Sequence, residues 1–517
     1  MVGWGVMTPL RAVAISLLLL QFAPAGCRQR PPADEGTLVI ALPGAPESID
    51  PRLAADAYGT QILQMTHASL IRMDAAGNPV PDLAERWEQT GPASFLFRLR
   101  GGIRFHDGRE LTSADVRSTF EWILDPKNRS PHRHAYSAIS RIETPDERTV
   151  LFRLTEPFAP FLAGMVRGIV PRGAPVSAYS PPVGAGPYRI DDFQRDEAVR
   201  LSRYEGYFGG PPAIERVVVK FVPDTNVRFL ELKKGSVNFV LNGVDPDLVP
   251  AALENRNLVT EEGPGSNASY LGFNLRDPIL SDLRVRRAIA QAIDRESIVR
   301  AIWGGHADIA DSILAPGFWA HAEGIPPVRY DPGSAAGLLD AAGYRDPDGA
   351  GPKVRFTLTY KTSQNELRRR IAAVFQEQMR QVGIAVEVHS YEWGTFFSDI
   401  RKGNFQLYSL TWVGIQDPDI YHYVFHSGSV PPAGANRGGY QNAEIDRLVE
   451  AGRREISRKR RKAIYGRVQR ILARELPIVP LWIHRNLLVR DRRFTGFVIT
   501  PDEDYGSVRE MRVGPPN

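Results

Sequence analysis

Hydrophobic and polar positions follow two different periods along this chain, broken by glycine, proline and short polar runs. The first stretch obeys neither period. Arg11 is the only charged side chain before Cys27, residues 12–22 are almost wholly apolar, and Ala25 and Gly26 stand directly before the cysteine. A basic start, a short apolar run and small residues at a cut site predict a secretory leader. The run is too short to cross a bilayer as a mature helix. Residues 28–36 (RQRPPADEG) read as a polar, proline-rich tether.

From Leu38 onward strand-like and helix-like segments alternate. Phe95, Phe97 and Leu99 alternate with more polar neighbours, and Gly101-Gly102 then leads into 103–105, a pattern that predicts a hairpin. Thr112 with Asp115 three residues on predicts a capping box opening a helix through Leu124, stopped by Asp125-Pro126. Two segments read as βαβ units. In the first, a strand at 217–222 precedes a helix capped by Asp224 and stopped by Gly235, and 237–241 is the second strand. In the other, Val354, Phe356, Leu358 and Tyr360 share one strand face. Leu367, Ile371, Val374, Phe375 and Val382 then recur at the helical period, Gly383 ends the helix, and Ile384, Val386 and Val388 alternate again. A short helix between two strands implies parallel strands with a right-handed crossover. Two α/β cores divided by Gly263-Pro264-Gly265 imply a cleft between lobes, where ligands commonly bind.

Composition narrows the chemistry. With 43% apolar and 24% charged residues over 517 positions, neither a disordered chain nor a polytopic membrane protein fits. A single cysteine excludes an intramolecular disulfide and any cysteine-built metal site. No phosphate-binding P-loop, dinucleotide glycine pattern or G-x-S-x-G elbow is present. His422 and His426 would share a helix face and, with Asp417 or Asp419, could hold a metal; packing histidines beside Tyr421 and Tyr423 are the plainer alternative. Asp417 and Asp419 could also be a hydrolytic carboxylate pair, although Asp-Pro-Asp after a strand is commonly a turn. The basic run at 458–462 reads as a solvated helix face, not a nucleic-acid site.

Seven segments in order resemble the family 5 extracellular solute-binding proteins of ABC transporters, the oligopeptide- and dipeptide-binding class. They are PDLAERW (81–87), FRLRGGIRFHDGRELTSADV (97–116), PVGAGPY (182–188), YLGFNLRDPILSDLRVRRAIAQAIDRESIV (270–299), YDPGSAAGLLDAAGY (330–344), the 412–419 region and 477–481. Ala25-Gly26-Cys27 likewise resembles a bacterial lipobox, with Pro24 where leucine is usual. The resemblance implies an α/β fold of the type II periplasmic-binding-protein kind, two lobes with a hinge and an inserted β-rich domain (class C). Lobe I would comprise 37–54, 181–266 and 482–517, the inserted domain 55–180, and lobe III 267–481, after a leader at 1–26 and a tether at 27–36. His106-Asp107-Gly108 would be a tight turn, and Arg284, Arg286 and Arg287 the solvated face of a helix pair.

The implied function is that of a receptor, not an enzyme. It would be monomeric, exported and lipid-anchored through Cys27, on the periplasmic or cell-envelope side. It would capture a peptide or peptide-like solute and deliver it to the transmembrane permease, with no cofactor, resident metal or nucleic acid. An anchored hydrolase or a nickel-chelate receptor on the same fold are the rivals. Trp412 would line the cleft, with Trp393, Ala45 and Pro46 beside it. The family's partner for the ligand's α-ammonium falls at Ile415 here, so Asp417 or Asp419 would replace it, or the ligand would lack a free amine.

Overall fold

The computed structural model describes residues 36–177, 182–349 and 351–515, so Cys27 and the expected leader lie outside the described residues. Among the described residues, no helix is long and apolar enough to cross a membrane.

Lobe I is built on a seven-stranded sheet. Its strands run in the order Leu258–Gly263, Asn486–Asp491, Phe239–Leu241, Leu38–Leu42, Arg216–Phe221, Ala198–Arg203 and Tyr188–Gln194. Leu38–Leu42 is apolar at every position because both of its faces are covered. Leu38, Ile40 and Leu42 enter one core, and Val39 and Ala41 the other. It pairs in parallel with both Arg216–Phe221 and Phe239–Leu241. The first βαβ unit is therefore parallel as expected, but its two strands are not neighbours; the first strand of the lobe lies between them. Its helix, Thr225–Lys234, is capped by Asp224 and ended by Gly235 in the left-handed region, as the sequence implies.

Lobe III carries a six-stranded sheet in the order Ala307–Ile309, Ile478–His484, Ala268–Phe273, Leu407–Trp412, Phe356–Ser363 and Ile384–Tyr391. The second βαβ unit forms adjacent parallel strands, from Phe356 opposite Ile384 to Ser363 opposite Tyr391. Its helix, Glu366–Arg380, buries Ile371, Phe375 and Met379, spaced four residues apart along one face.

The inserted domain is a four-stranded antiparallel sheet, Ala84–Gly91, Ser94–Leu99, Thr149–Leu154 and Ile139–Asp146, backed by helix Ser113–Leu124. The capping box is present: the Asp115 carboxylate accepts the Thr112 N–H at 2.8 Å. The hairpin partner differs from the expectation. Ser94–Leu99 pairs with Ala84–Gly91, not with 103–105. Residues 105–109 instead close a small loop in which Gly108 adopts φ +87° and donates to the Phe105 carbonyl, so His106-Asp107-Gly108 is indeed a turn. Helix Ala57–Thr66 sends Ile62 and Met65 into the lobe I core, whereas the inserted domain's own core starts at Ala68.

Two chain segments cross between the lobes, side by side. The His484 N–H donates to the Asn267 carbonyl at 3.1 Å, and Asn486 Nδ2 to that of Pro264 at 3.1 Å. A Cβ on Gly265 would stand 1.8 Å from the His484 carbonyl oxygen, so only glycine lets the two crossings lie this close. Strand Ile478–His484 runs to its end within the lobe III sheet, which puts the second crossing at Arg485.

Two arginine assignments change. Arg286 is buried, not solvated: it donates to the carbonyls of Leu280, Ser281, Glu475 and Leu476 and ties its helix to the end of Arg458–Glu475. Arg461, within the basic run, is also buried. Both read as surface charge in the sequence because a partner that buries each lies far along the chain, Glu475 and Leu476 for Arg286 and Asp417 for Arg461.

Candidate functional site

In open α/β sheets, ligands bind beyond the carboxyl ends of the strands. On lobe III three parallel strands end together. Leu407–Trp412 ends in Trp412 itself, Phe356–Ser363 leads into helix Glu366–Arg380, and Ile384–Tyr391 leads into helix Trp393–Lys402.

Trp412 and Trp393 belong to one continuous stack. Trp412 lies parallel to Tyr270, with ring centres 5.6 Å apart and planes at 8°. The Arg437 guanidinium sits 5.0 Å from the Trp412 centre and 5.5 Å from that of Phe397, and Phe397 stacks on Trp393 at 5.5 Å and 10°. Arg437 Nη1 also donates to the Tyr270 hydroxyl at 2.7 Å. Trp393, at the outer end, is 55% exposed, and the Trp412 indole N–H has no acceptor among the described residues.

Beside the stack runs a polar chain. Arg368, in the first turn of its helix, donates through Nη2 to the Thr411 hydroxyl at 2.8 Å, and Ser269 Oγ meets both Thr411 Oγ1 and His484 Nε2 at 2.9 Å. Burial, aided by Arg368, lowers the His484 pKa to about 3, so the imidazole is neutral. Burial also lowers the pKa of Arg368, which has no carboxylate within ion-pair distance among the described residues. A desolvated guanidinium without a counter-charge is costly and favours an incoming anion.

Lobe I presents its own strand ends. Leu38–Leu42 runs into the loop holding Ala45, half-buried against the lobe I core, and Pro46, buried. Phe239–Leu241 leads into Asn242 at φ +54°. The chain returns here as Asp502-Glu503-Asp504. Asp502 accepts from Gln416 Nε2 across the lobes at 3.2 Å, and Glu503 accepts from Asn267 Nδ2 at 2.9 Å. Glu503 itself adopts φ +59°, an unfavourable conformation for a residue with a Cβ. Burial raises the Glu503 pKa, and burial plus Asp502 pushes Asp504 up to about 6.

The two aspartates expected near the ligand are engaged within lobe III. Asp417 forms a two-pronged pair with Arg461, at 2.7 and 3.0 Å, and accepts the Asp419 N–H. Asp419 lies 3.1 Å from Arg453 Nε, off the angle of a hydrogen bond, and burial pushes its pKa up to about 6. Ile415 is buried in the cluster that holds Ala268 and Tyr421. His422 and His426 do share a face, their rings 4.5 Å apart. Yet Arg453 Nη1 sits 3.2 Å from His422 Nε2, and His426 Nε2 meets Glu450. A guanidinium thus lies against the His422 ring, and a carboxylate engages His426. Among the described residues, no group of three or more His, Cys, Asp or Glu is placed to hold a metal ion.

Sequence reasoning missed Arg368, Arg437, Asn267 and the 502–504 segment. Arg368 carried a usable signal, a cation in the first helical turn after a parallel strand. Arg437 did not, because its aromatic partners come from three separate segments.

Comparison with known proteins gives a consistent picture. The family described as bacterial extracellular solute-binding proteins, family 5 Middle, matches residues 78–431. The dipeptide-binding protein of Escherichia coli K12 is 25% identical over 503 residues, covering 90% of this chain and 92% of its own. Di/tripeptide-binding protein 2 of Pseudomonas aeruginosa is 29% identical, covering 92% and 94%. Among solved structures, the oligopeptide-binding protein AppA of Bacillus subtilis, in complex with a nonapeptide, superimposes with a TM-score of 0.78 at 26% identity over 93% of this chain and 99% of that one. NikA from Brucella suis, in complex with Fe(III)-EDTA, shares the fold at a TM-score of 0.84 and 22% identity, over 92% and 100%.

Proposed function

The chain belongs to the bacterial extracellular solute-binding proteins of family 5, and from that premise we propose that it is the receptor of an ABC importer for a short peptide or peptide-like solute. The observation that carries the reading is the charge layout of the cleft. An aromatic stack and the uncompensated Arg368 lie at the carboxyl ends of the lobe III strands, and the acidic 502–504 segment of lobe I meets lobe III through Gln416 and Asn267. A zwitterion with an apolar body fits such a layout: its carboxylate meets Arg368, its cationic end lies toward the acidic side, and its side chains lie against Trp412.

The paired crossings at Gly265 and Arg485 form the hinge about which the lobes close. Closure desolvates the solute and strengthens each polar contact. The permease then takes up the solute from the closed receptor, which stays at the membrane through a lipid on Cys27. Stable anchoring needs more than one acyl chain. Cys27→Ser should release the protein from the membrane fraction of its host, and an unchanged membrane fraction would refute the anchor.

One contact speaks to the hydrolase alternative. Ser269 Oγ and His484 Nε2 stand at nucleophile–base distance. However, Ser269 is 1% exposed, its oxygen is shared with Thr411, and the imidazole pKa of about 3 makes it a poor base near neutral pH. The pair is a structural link in the polar chain. Calorimetric titration with di- to pentapeptides, followed by mass analysis of the recovered ligand, tests the proposal: saturable binding with intact recovery is expected. Shortened products formed at enzyme-like rates would overturn it.

A further inference from the structure

Where lobe I, the inserted domain and lobe III meet there is a cavity of about 240 Å³. His67 lies at the end of helix Ala57–Thr66, Asp502 and Asp504 come from the returning C-terminal segment, and Gln416 reaches in from lobe III, four residues after Trp412. We infer that this cavity receives the cationic end of the solute, an ammonium group held between the carboxylates of Asp502 and Asp504 and the free lone pair of His67 Nε2. The inference rests on the peptide-receptor reading.

The imidazole tautomer follows from its neighbours. We assign the Thr66 hydroxyl proton to the Ile62 carbonyl, 3.1 Å away, which makes its oxygen the acceptor of the His67 Nδ1–H at 3.0 Å. Nε2 is then a bare acceptor. The ring is buried, and Nε2 has no hydrogen-bond partner among the described residues. Burial, together with His106 and Arg52, lowers the ring's pKa to about 3, so it does not become a cation itself.

The cations around the cavity are mostly committed. Arg72 pairs with Asp82, which also accepts from Ser69, and Arg509 pairs with Glu510. Arg167 donates to the Pro51 carbonyl and lies against His132, which in turn meets the Ala54 carbonyl. Among the described residues, Asp502 and Asp504 accept hydrogen bonds only from neutral donors, the Gln416 amide and the Gly506 N–H; Arg509 and Arg72 act on Asp504 through space without bonding to it. Two carboxylates and one lone pair are three acceptors, matching the three N–H donors of a primary ammonium. The aspartates nearer Trp412 in sequence are not available, since Arg461 and Arg453 engage them.

The test uses a library of tripeptides lacking Lys and Arg, in free-amine and N-acetylated forms, competed for the full-length protein and read by native mass spectrometry. Wild type should prefer free amines by about tenfold or more, the scale of a charge-assisted hydrogen bond. Asp502→Asn and Asp504→Asn, each confirmed as folded by circular dichroism, should lose most of that preference while binding acetylated peptides as wild type does. Equal binding of both forms by wild type, or an undiminished preference in both variants, overturns the inference and leaves the receptor reading intact. Failure of both libraries to bind overturns the receptor reading, and the inference with it.

Discussion

Arg437 holds its guanidinium 5.0 Å from the centre of the Trp412 ring while donating to the hydroxyl of Tyr270, the ring on which Trp412 stacks. One cation thereby fixes both the orientation of the indole and the surface it presents. Such a cation–π contact contributes about 0.5–2 kcal/mol depending on desolvation. Trp412→Ala should weaken peptide binding by about 30-fold, the scale of an aromatic hot spot of about 2 kcal/mol. Trp412→Phe should keep most of the affinity. Arg437→Leu should fall between them, because the ring stays but loses its support. Calorimetry on folded variants measures all three, and wild-type affinity in Trp412→Ala would remove the residue from the cleft.

Arg368 should discriminate the other end of the solute. A hydrogen bond to a charged group contributes about 1.5–3 kcal/mol. Arg368→Gln should therefore lower affinity for free-carboxylate peptides by roughly 10- to 100-fold, on that same range. Carboxyl-amidated peptides should bind the variant and wild type alike. The thermal midpoint should hold or rise, because the substitution removes a partly buried charge that has no carboxylate partner among the described residues.

The lobes and the inserted domain also touch through ion pairs at their rims, Arg370–Asp247 at 3.6 Å and Arg454–Glu156 at 3.3 Å. All four side chains are about half exposed or more, so each pair contributes no more than about 1 kcal/mol and is screened by salt. Asp247→Asn with Glu156→Gln should shift the ligand-free protein toward a larger radius of gyration in small-angle scattering. Added salt should shift wild type the same way, and saturating ligand should restore compactness in both.

The histidines make stability depend on pH. The folded-state pKa of His484 lies at about 3, below its ordinary value of 6.5. Between those values the unfolded chain binds a proton that the folded chain does not, so stability falls as pH drops through 6.5. The slope approaches about 1.4 kcal/mol per pH unit for one such group. Asp419 and Asp504, raised to about 6, act in the opposite sense and gain protons first in the folded state. His484→Gln should narrow the loss of thermal midpoint between pH 7 and pH 5. An equal loss in variant and wild type would mean that the imidazole is not held neutral.

Local periodicity carried the lobes. The run of alternating residues ending at Tyr360, the helix face of Ile371 and Phe375 and the stop at Gly383 all describe contacts within 40 residues, and the structure reproduces them. Insertion of Leu38–Leu42 between two later strands was not legible, because strand order is set by pairing across some 180 residues. Trp412 and Trp393 were placed by resemblance, whereas the Arg437 guanidinium that joins them to one stack needed coordinates. Asp417 shows the converse. A carboxylate after a strand end reads as available, and only the fold reveals that Arg461, 44 positions later, engages both of its oxygens.

Native mass spectrometry of the protein freshly purified from its producing cells tests the central claim most directly. The account predicts a fraction carrying one peptide or peptide-like molecule. After denaturation that molecule should be recovered with its mass unchanged, and it should rebind refolded wild-type protein but not Trp412→Ala at matched concentration. A protein that carries no such molecule and binds none of the peptides added back, or that returns them shortened, would contradict it.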